Sequence, residues 1–166
     1  MFNTFLRENK VVAALLAVLR VYLGYAWFTA GLGKIQGGFD ASGFIKGAIA
    51  NPVKGPDGGV VYQWYVDFLQ GIALPNIDLF NVLVPWGELL VGLGLMIGCL
   101  TTAAMFFGLV MNFAFFFAGT VSHNPTDILF GFIILAAGAN AGKYGLDRWV
   151  LPYINKAVFK KAQAQN

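Results

Sequence analysis

The sequence predicts an all-α membrane protein: a four-transmembrane-helix bundle with two short amphipathic helices in the first extracytoplasmic connection. Three observations predict it. Residues are 58% hydrophobic and only 11% charged, whereas roughly one-quarter of a soluble domain is charged. Four apolar segments follow one another. Inside those segments the few polar residues recur at helical spacing.

The first span covers about residues 11–33. It follows Arg7 and Lys10, as a signal peptide would. It is too long for the apolar part of one, contains Arg20, and lacks a small-x-small cleavage site, so it reads as a retained helix. The connection after it is too long to be structureless in a compact domain. It predicts a helical lid over about residues 40–74. Asp40 N-caps FDASGFIKGAIAN, with Phe44, Ile45, Ala48 and Ile49 on one face. Pro52 ends that helix, and KGPDGG is turn chemistry. Val61, Trp64, Tyr65, Phe68, Leu69 and Ile72 then share a face opposite Gln63, Asp67 and Gln70, and Pro75 ends the helix. Such an aromatic amphipathic pair is either an anchor in the membrane interface or a lid over an outward-opening site.

The second span covers about 79–99 and the third about 101–121. The fourth apolar run, about 128–141, is short unless Thr126, Asp127 and the residues after Gly142 extend it, since a crossing needs about 20 residues; with that extension the span is about 126–142. A basic tail, 143–166, closes a single integral membrane domain of residues 1–166. Seven of the eleven Lys and Arg residues lie in the two termini, which predicts that both termini are cytoplasmic in a bacterial or archaeal cytoplasmic membrane. The net charge of +3 is carried at segment ends, so the bases report topology and no nucleic-acid partner is expected. The single cysteine, Cys99, permits no intrachain disulfide and reads as a buried thiol. Dinucleotide, P-loop, nucleophile-elbow and haem motifs are all missing from the sequence.

The polar residues inside the spans form stripes. Arg20, Gly24, Trp27, Gly31 and Lys34 share one face of the first helix; Asn81, Pro85, Glu88 and Gly92 share one in the second. Gly108, Asn112, Phe115, Gly119 and Ser122 do so in the third, and Asp127, Gly131, Ile134 and Gly138 in the fourth. Small residues let helices approach, and polar groups must face a partner rather than lipid. Depths counted at about 1.5 Å per residue put Arg20 and Glu88 roughly one turn apart. The expectation is therefore a buried Arg20–Glu88 ion pair, with Asn112 hydrogen-bonded to one of them. Arg20, Glu88 and Asn112 are the candidate catalytic residues, and the pair is either structural or functional. Trp27, Trp86 and Phe115 would flank it, making a pocket suited to a flat redox-active ring or an anion. Lys34 and His123 are candidates for substrate contact. His123 is the only histidine, and without companion ligands no metal site is expected. It reads as a solvated turn residue or as a group exchanging protons with a ligand.

RVYLGYAWFTAGLGK, FDASGFIKGAIANP, LVPWGELLVGLGLMIG, MNFAFFFAGTVSHNP and NAGKYGLDRWV, in that order, resemble the DoxX family over about residues 19–150. The resemblance implies a four-helix membrane protein. The related DoxD proteins are a subunit of thiosulfate:quinone oxidoreductase, and other members associate with thiol-redox partners. It thus implies a membrane subunit passing electrons from a sulfur compound to quinone as cofactor. The expected partners are membrane lipids, quinone and a second redox subunit or thiol-redox partner, with a homo-oligomer left open. Arg20 and Lys34 would then attract an anion such as thiosulfate. The rival expectation is a non-enzymatic scaffold, or a small-solute or lipid-binding transporter, using the same polar interior.

Overall fold

The computed structural model describes the backbone of residues 2–163 and the side chains of residues 3–156. Lys160, Lys161 and the VFKKAQAQN stretch of the expected basic tail lie outside the described side chains. Among the described residues the chain is all-helical, apart from one isolated bridge between Lys54 and Val60. The helices are α1 (Phe2–Glu8), α2 (Lys10–Gly37), α3 (Ser42–Ala50), α4 (Gln63–Phe68), α5 (Ile77–Ile97), α6 (Thr101–Phe117), α7 (Asn124–Ala137) and α8 (Asp147–Gln163).

α1 was not anticipated. Asn9 breaks it from α2 and caps the long helix, its side-chain oxygen accepting from the Val11 and Val12 amides at 2.8 and 3.2 Å. At the other end Gly38 adopts the left-handed conformation (φ 74°) and closes α2. α2 and α5 are long and apolar enough to cross a membrane. α6 and α7 have 17 and 14 residues and fall short of a full crossing by themselves. Glycine ends both early: Gly119 (φ 89°) follows α6, and Gly138 (φ 57°) begins a 3₁₀ turn after α7. The expected ends at 121 and 142 are therefore four to five residues too far along.

α2, α5, α6 and α7 pack in that cyclic order around one core. The α2–α5 contact is backbone against backbone. A methyl group added at Gly31 would stand 2.5 Å from the Leu89 nitrogen, and one at Gly92 would collide with the Phe28 backbone. Leu23, Leu95, Met105, Leu109 and Ile134 fill the middle. The outward faces are also apolar: Leu90 and Phe107 are each 60% exposed. That is the pattern of helices whose surroundings are lipid.

The lid has its own core of Ala41, Ile45, Ala48, Tyr65, Leu69 and Ala73, clasped against Phe80 of α5 and Phe117 of α6. Ile49 and Phe68 pack there as anticipated. Trp64 does not: it is 59% exposed, although one ring edge meets Phe117. The buried stripe of α4 runs through Tyr65 and on to Leu69, and the π-helical turn Leu69–Ala73 that follows carries it to Ala73 in place of Ile72, which is 55% exposed.

Candidate functional site

The bundle has two polar centres, one at the end beneath the lid and one at the end beside α8. The antiparallel register of α2 and α5 separates them. Gly31 lies against Pro85 and Leu89, and Gly24 against Gly92 and Met96. Residues later in α2 thus meet residues earlier in α5.

Arg20 lies at the α8 end. Its guanidinium donates to the carbonyls of Leu95 and Met96, and at 3.1 Å to that of Tyr144. Leu95 and Met96 are in the last turn of α5, where carbonyls are unpaired and the helix dipole favours a cation. Asp147 complements this from the next turn. Its carboxylate accepts from the Leu100 and Thr101 amides at 2.6 and 2.9 Å, capping α6. Arg20 and Asp147 together tie off the tight α5–α6 turn, in which Leu100 has φ 51°. The expected Arg20–Glu88 pair does not form. Glu88 precedes Leu95 by seven residues, roughly 10 Å along α5. The depth count assumed that the two helices end level, and it ignored the acceptors waiting at the end of α5. Arg20 is absent from the lining of the cavity that Glu88 and Asn112 share, so the expected grouping of the three does not form.

Glu88 pairs instead with Lys34, Nζ to Oε2 at 2.7 Å. The ammonium also sits 5.8 Å from the centre of the Phe39 ring. This pair lines a cavity of about 270 Å³ beneath the lid. Trp27 and Ala30 of α2, Asn112 and Phe115 of α6, Phe44 of α3, Thr120, Ser122 and His123 of the α6–α7 turn, and Asn124 at the start of α7 also line it. Phe44 and Phe115 meet edge to face at 6.3 Å. Of the expected site, Glu88, Asn112, Trp27, Phe115, Lys34 and His123 converge here. Trp86 does not. It lies two residues from Glu88, on the opposite side of α5, and is 50% exposed.

Asn112 is fully buried, yet neither its amide oxygen nor its amide nitrogen makes a hydrogen bond among the described residues. The expected bond to Arg20 or Glu88 is not made. The Trp27 indole N–H is likewise buried and has no partner among the described residues. Orphaned buried polar groups cost about 1–3 kcal/mol each and call for an explanation.

At the rim, the His123 Nδ1 and Asp127 Oδ2 lie 2.7 Å apart. Asn124 donates to the Thr120 carbonyl at 2.8 Å. Ser122 has φ 38°, an uncommon value for a residue with a side chain, and this turn carries His123 over the cavity. Sequence reading did not single out Asn124 or Thr120; their role depends on how the α6–α7 turn folds back.

The lid is fastened by Asn81, whose side-chain oxygen accepts from the Ala41 amide at 2.8 Å. Asp40 receives the Ser42 amide and hydroxyl, both at 2.8 Å, and these bonds hold its carboxyl below the usual range. Burial in the lid core pushes the Tyr65 phenol up to about 12.

No curated protein and no solved structure matches the chain. The family comparison does find a match, over residues 15–120, more than half of the sequence. That stretch holds the α2–α5 glycine contact, the lid, Lys34, Glu88 and Asn112, whereas His123 and Asp127 lie just beyond it. With apolar outward faces and two helices of membrane-crossing length, the chain belongs to the DoxX family of membrane proteins.

Proposed function

We propose that the chain is the quinone-binding membrane subunit of a sulfur- or thiol-linked oxidoreductase, with four spans, both termini cytoplasmic and the lid outside. The observation that carries this reading is Asn112. A fully buried amide with a free donor and a free acceptor suits a ring whose oxygens are acceptors in one oxidation state and donors in the other. Asn112 Nδ2, Trp27 Nε1 and Lys34 would donate to ring carbonyls. Asn112 Oδ1 and Glu88 would accept from ring hydroxyls. Phe44, Phe115 and Trp27 offer aromatic surface. The cavity, about 270 Å³, approaches the roughly 300 Å³ lower bound of ligand pockets and suits a headgroup rather than its tail. A quinone held here would accept electrons that this chain, with one cysteine, has no redox pair to carry.

Charge separates the two substrates. Lys34 is compensated by Glu88, Arg20 is elsewhere, and His123 faces Asp127. A sulfur anion would find no uncompensated cation in the cavity. The cavity therefore reads as the site for the neutral acceptor, with the sulfur compound oxidised on a partner. A conduction role has less support: Leu23, Leu95, Met105 and Ile134, essentially unexposed, plug the bundle between the cavity and Arg20.

Trp27 fluorescence tests the reading. With Trp64, Trp86 and Trp149 replaced by Phe, Trp27 is the only indole. Adding 1,4-naphthoquinone to the protein in detergent should quench it saturably. Asn112→Leu should weaken binding by about tenfold or more, the equivalent of one charge-free hydrogen-bonded group lost from a buried site. Linear quenching, identical in both proteins, would show partition into the micelle and overturn the proposal.

A further inference from the structure

His123 is more than a wall residue, because a buried carboxylate governs its ring. Asp127 is only 8% exposed at its side chain, while the imidazole is 67% exposed. One edge of the ring therefore meets water and the cavity rim, and the other is held 2.7 Å from Asp127 Oδ2. A carboxylate can only accept, so the contact requires a hydrogen on Nδ1. In the neutral ring this leaves Nε2 as the free base, the tautomer that a buried Asp selects when it orients a histidine. Nε2 makes no hydrogen bond among the described residues.

We infer that Asp127 and His123 form a proton-relay dyad at the cavity rim, with His123 Nε2 passing protons between water and an oxygen of the bound ring. The inference rests on the proposed quinone site. The step is a proton transfer alone. Imidazolium Nε2–H donates to a ring oxygen, the neutral ring is left with Nδ1–H on Asp127, and water reprotonates Nε2 from the exposed edge. Asp127 is a positioning residue that fixes the tautomer. The charged groups facing the same cavity are Lys34 from α2 and Glu88 from α5; α6 and the lid present only the neutral Asn112, Phe115 and Phe44. Lys34 and Glu88 compensate each other, so the cavity charge changes with His123.

The chain contains one histidine, so ¹⁵N-histidine NMR of the whole protein in nanodiscs reports this ring alone. The neutral ring should carry its hydrogen on Nδ1, and Asp127→Asn should shift it to Nε2. Binding of 1,4-naphthoquinone, read from Trp27 quenching, should tighten on the order of tenfold as His123 becomes protonated. By linkage the bound probe should raise the histidine's midpoint by about one pH unit. His123→Gln, at an exposed position, should fold and lose the pH dependence. An Nε2–H tautomer in the parent overturns the dyad whatever the probe does. Quenching that saturates with a pH-independent Kd overturns the relay and leaves the quinone site standing. No saturable quenching at any pH overturns both.

Discussion

Asn112 and Arg20 are both buried polar residues, yet their substitutions should move stability in opposite directions. Arg20 donates to three carbonyls through its two terminal nitrogens. Arg20→Met leaves the end of α5 unsatisfied and should cost about 3 kcal/mol, the order of one or two charge-assisted hydrogen bonds. Naphthoquinone affinity should not change. Asn112 is unengaged. Asn112→Leu removes two orphaned atoms and should raise the melting temperature of the empty protein by the equivalent of about 1–3 kcal/mol while destroying binding. Melting in detergent, with and without the probe, reads both. A destabilised Asn112→Leu would mean that the amide already has a partner, and the argument from the cavity would fail. Both residues stand out in the sequence, since each is a polar group in an apolar helix. Which one has a partner depends on side-chain reach across helices, and no single segment contains that information.

At the scale of elements, the α2–α5 pair decides the site. Gly24, Gly31 and Gly92 bring the two backbones together and fix the register that puts Lys34 beside Glu88. Gly92→Ala must push α5 away from Phe28, and overpacking of this kind costs about 1–3 kcal/mol. Gly33, in the same α2, has open space around its Cβ position. Gly33→Ala should be neutral or stabilising by about 0.5–1 kcal/mol through helix propensity. Thermal unfolding of the two variants in detergent checks the contrast; equal effects would mean that the helices do not meet through Gly92. The glycine stripes were legible as spacing. Their register was not, because sliding one helix by a turn along the other preserves every stripe and changes every pair. The lid shows a related limit: helix content followed from the pattern, but the π turn after Phe68 put Ala73 in the core where the pattern expected Ile72.

For the molecule as a whole, the proposed topology puts the lid and the cavity rim on one side and α8 with the α1 end on the other. In a Cys99→Ser background, a membrane-impermeant maleimide added to intact cells should label Gly58→Cys in the lid turn and spare Asn155→Cys on α8. The opposite labelling would invert the bundle and put the cavity on the cytoplasmic face. The two polar centres would serve different purposes in either case. Arg20 with Asp147 joins the ends of three helices through protein carbonyls and amides. Lys34, Glu88, Asn112 and His123 surround open space.

Composition and periodicity by themselves determined that this is a helical membrane protein, which faces of its helices are polar, and that a helical segment links the first two long helices. These properties depend on neighbours within about a turn, and such neighbours are written in the sequence. Only the tertiary structure decided who pairs with whom: Lys34 rather than Arg20 with Glu88, Asp127 with His123, and, among the described residues, no partner for Asn112. The physical reason is that ion pairing inside a bundle is a competition. Arg20 had helix-end carbonyls within reach, Lys34 lay beside Glu88, and the winner depends on a register set by glycines many residues away.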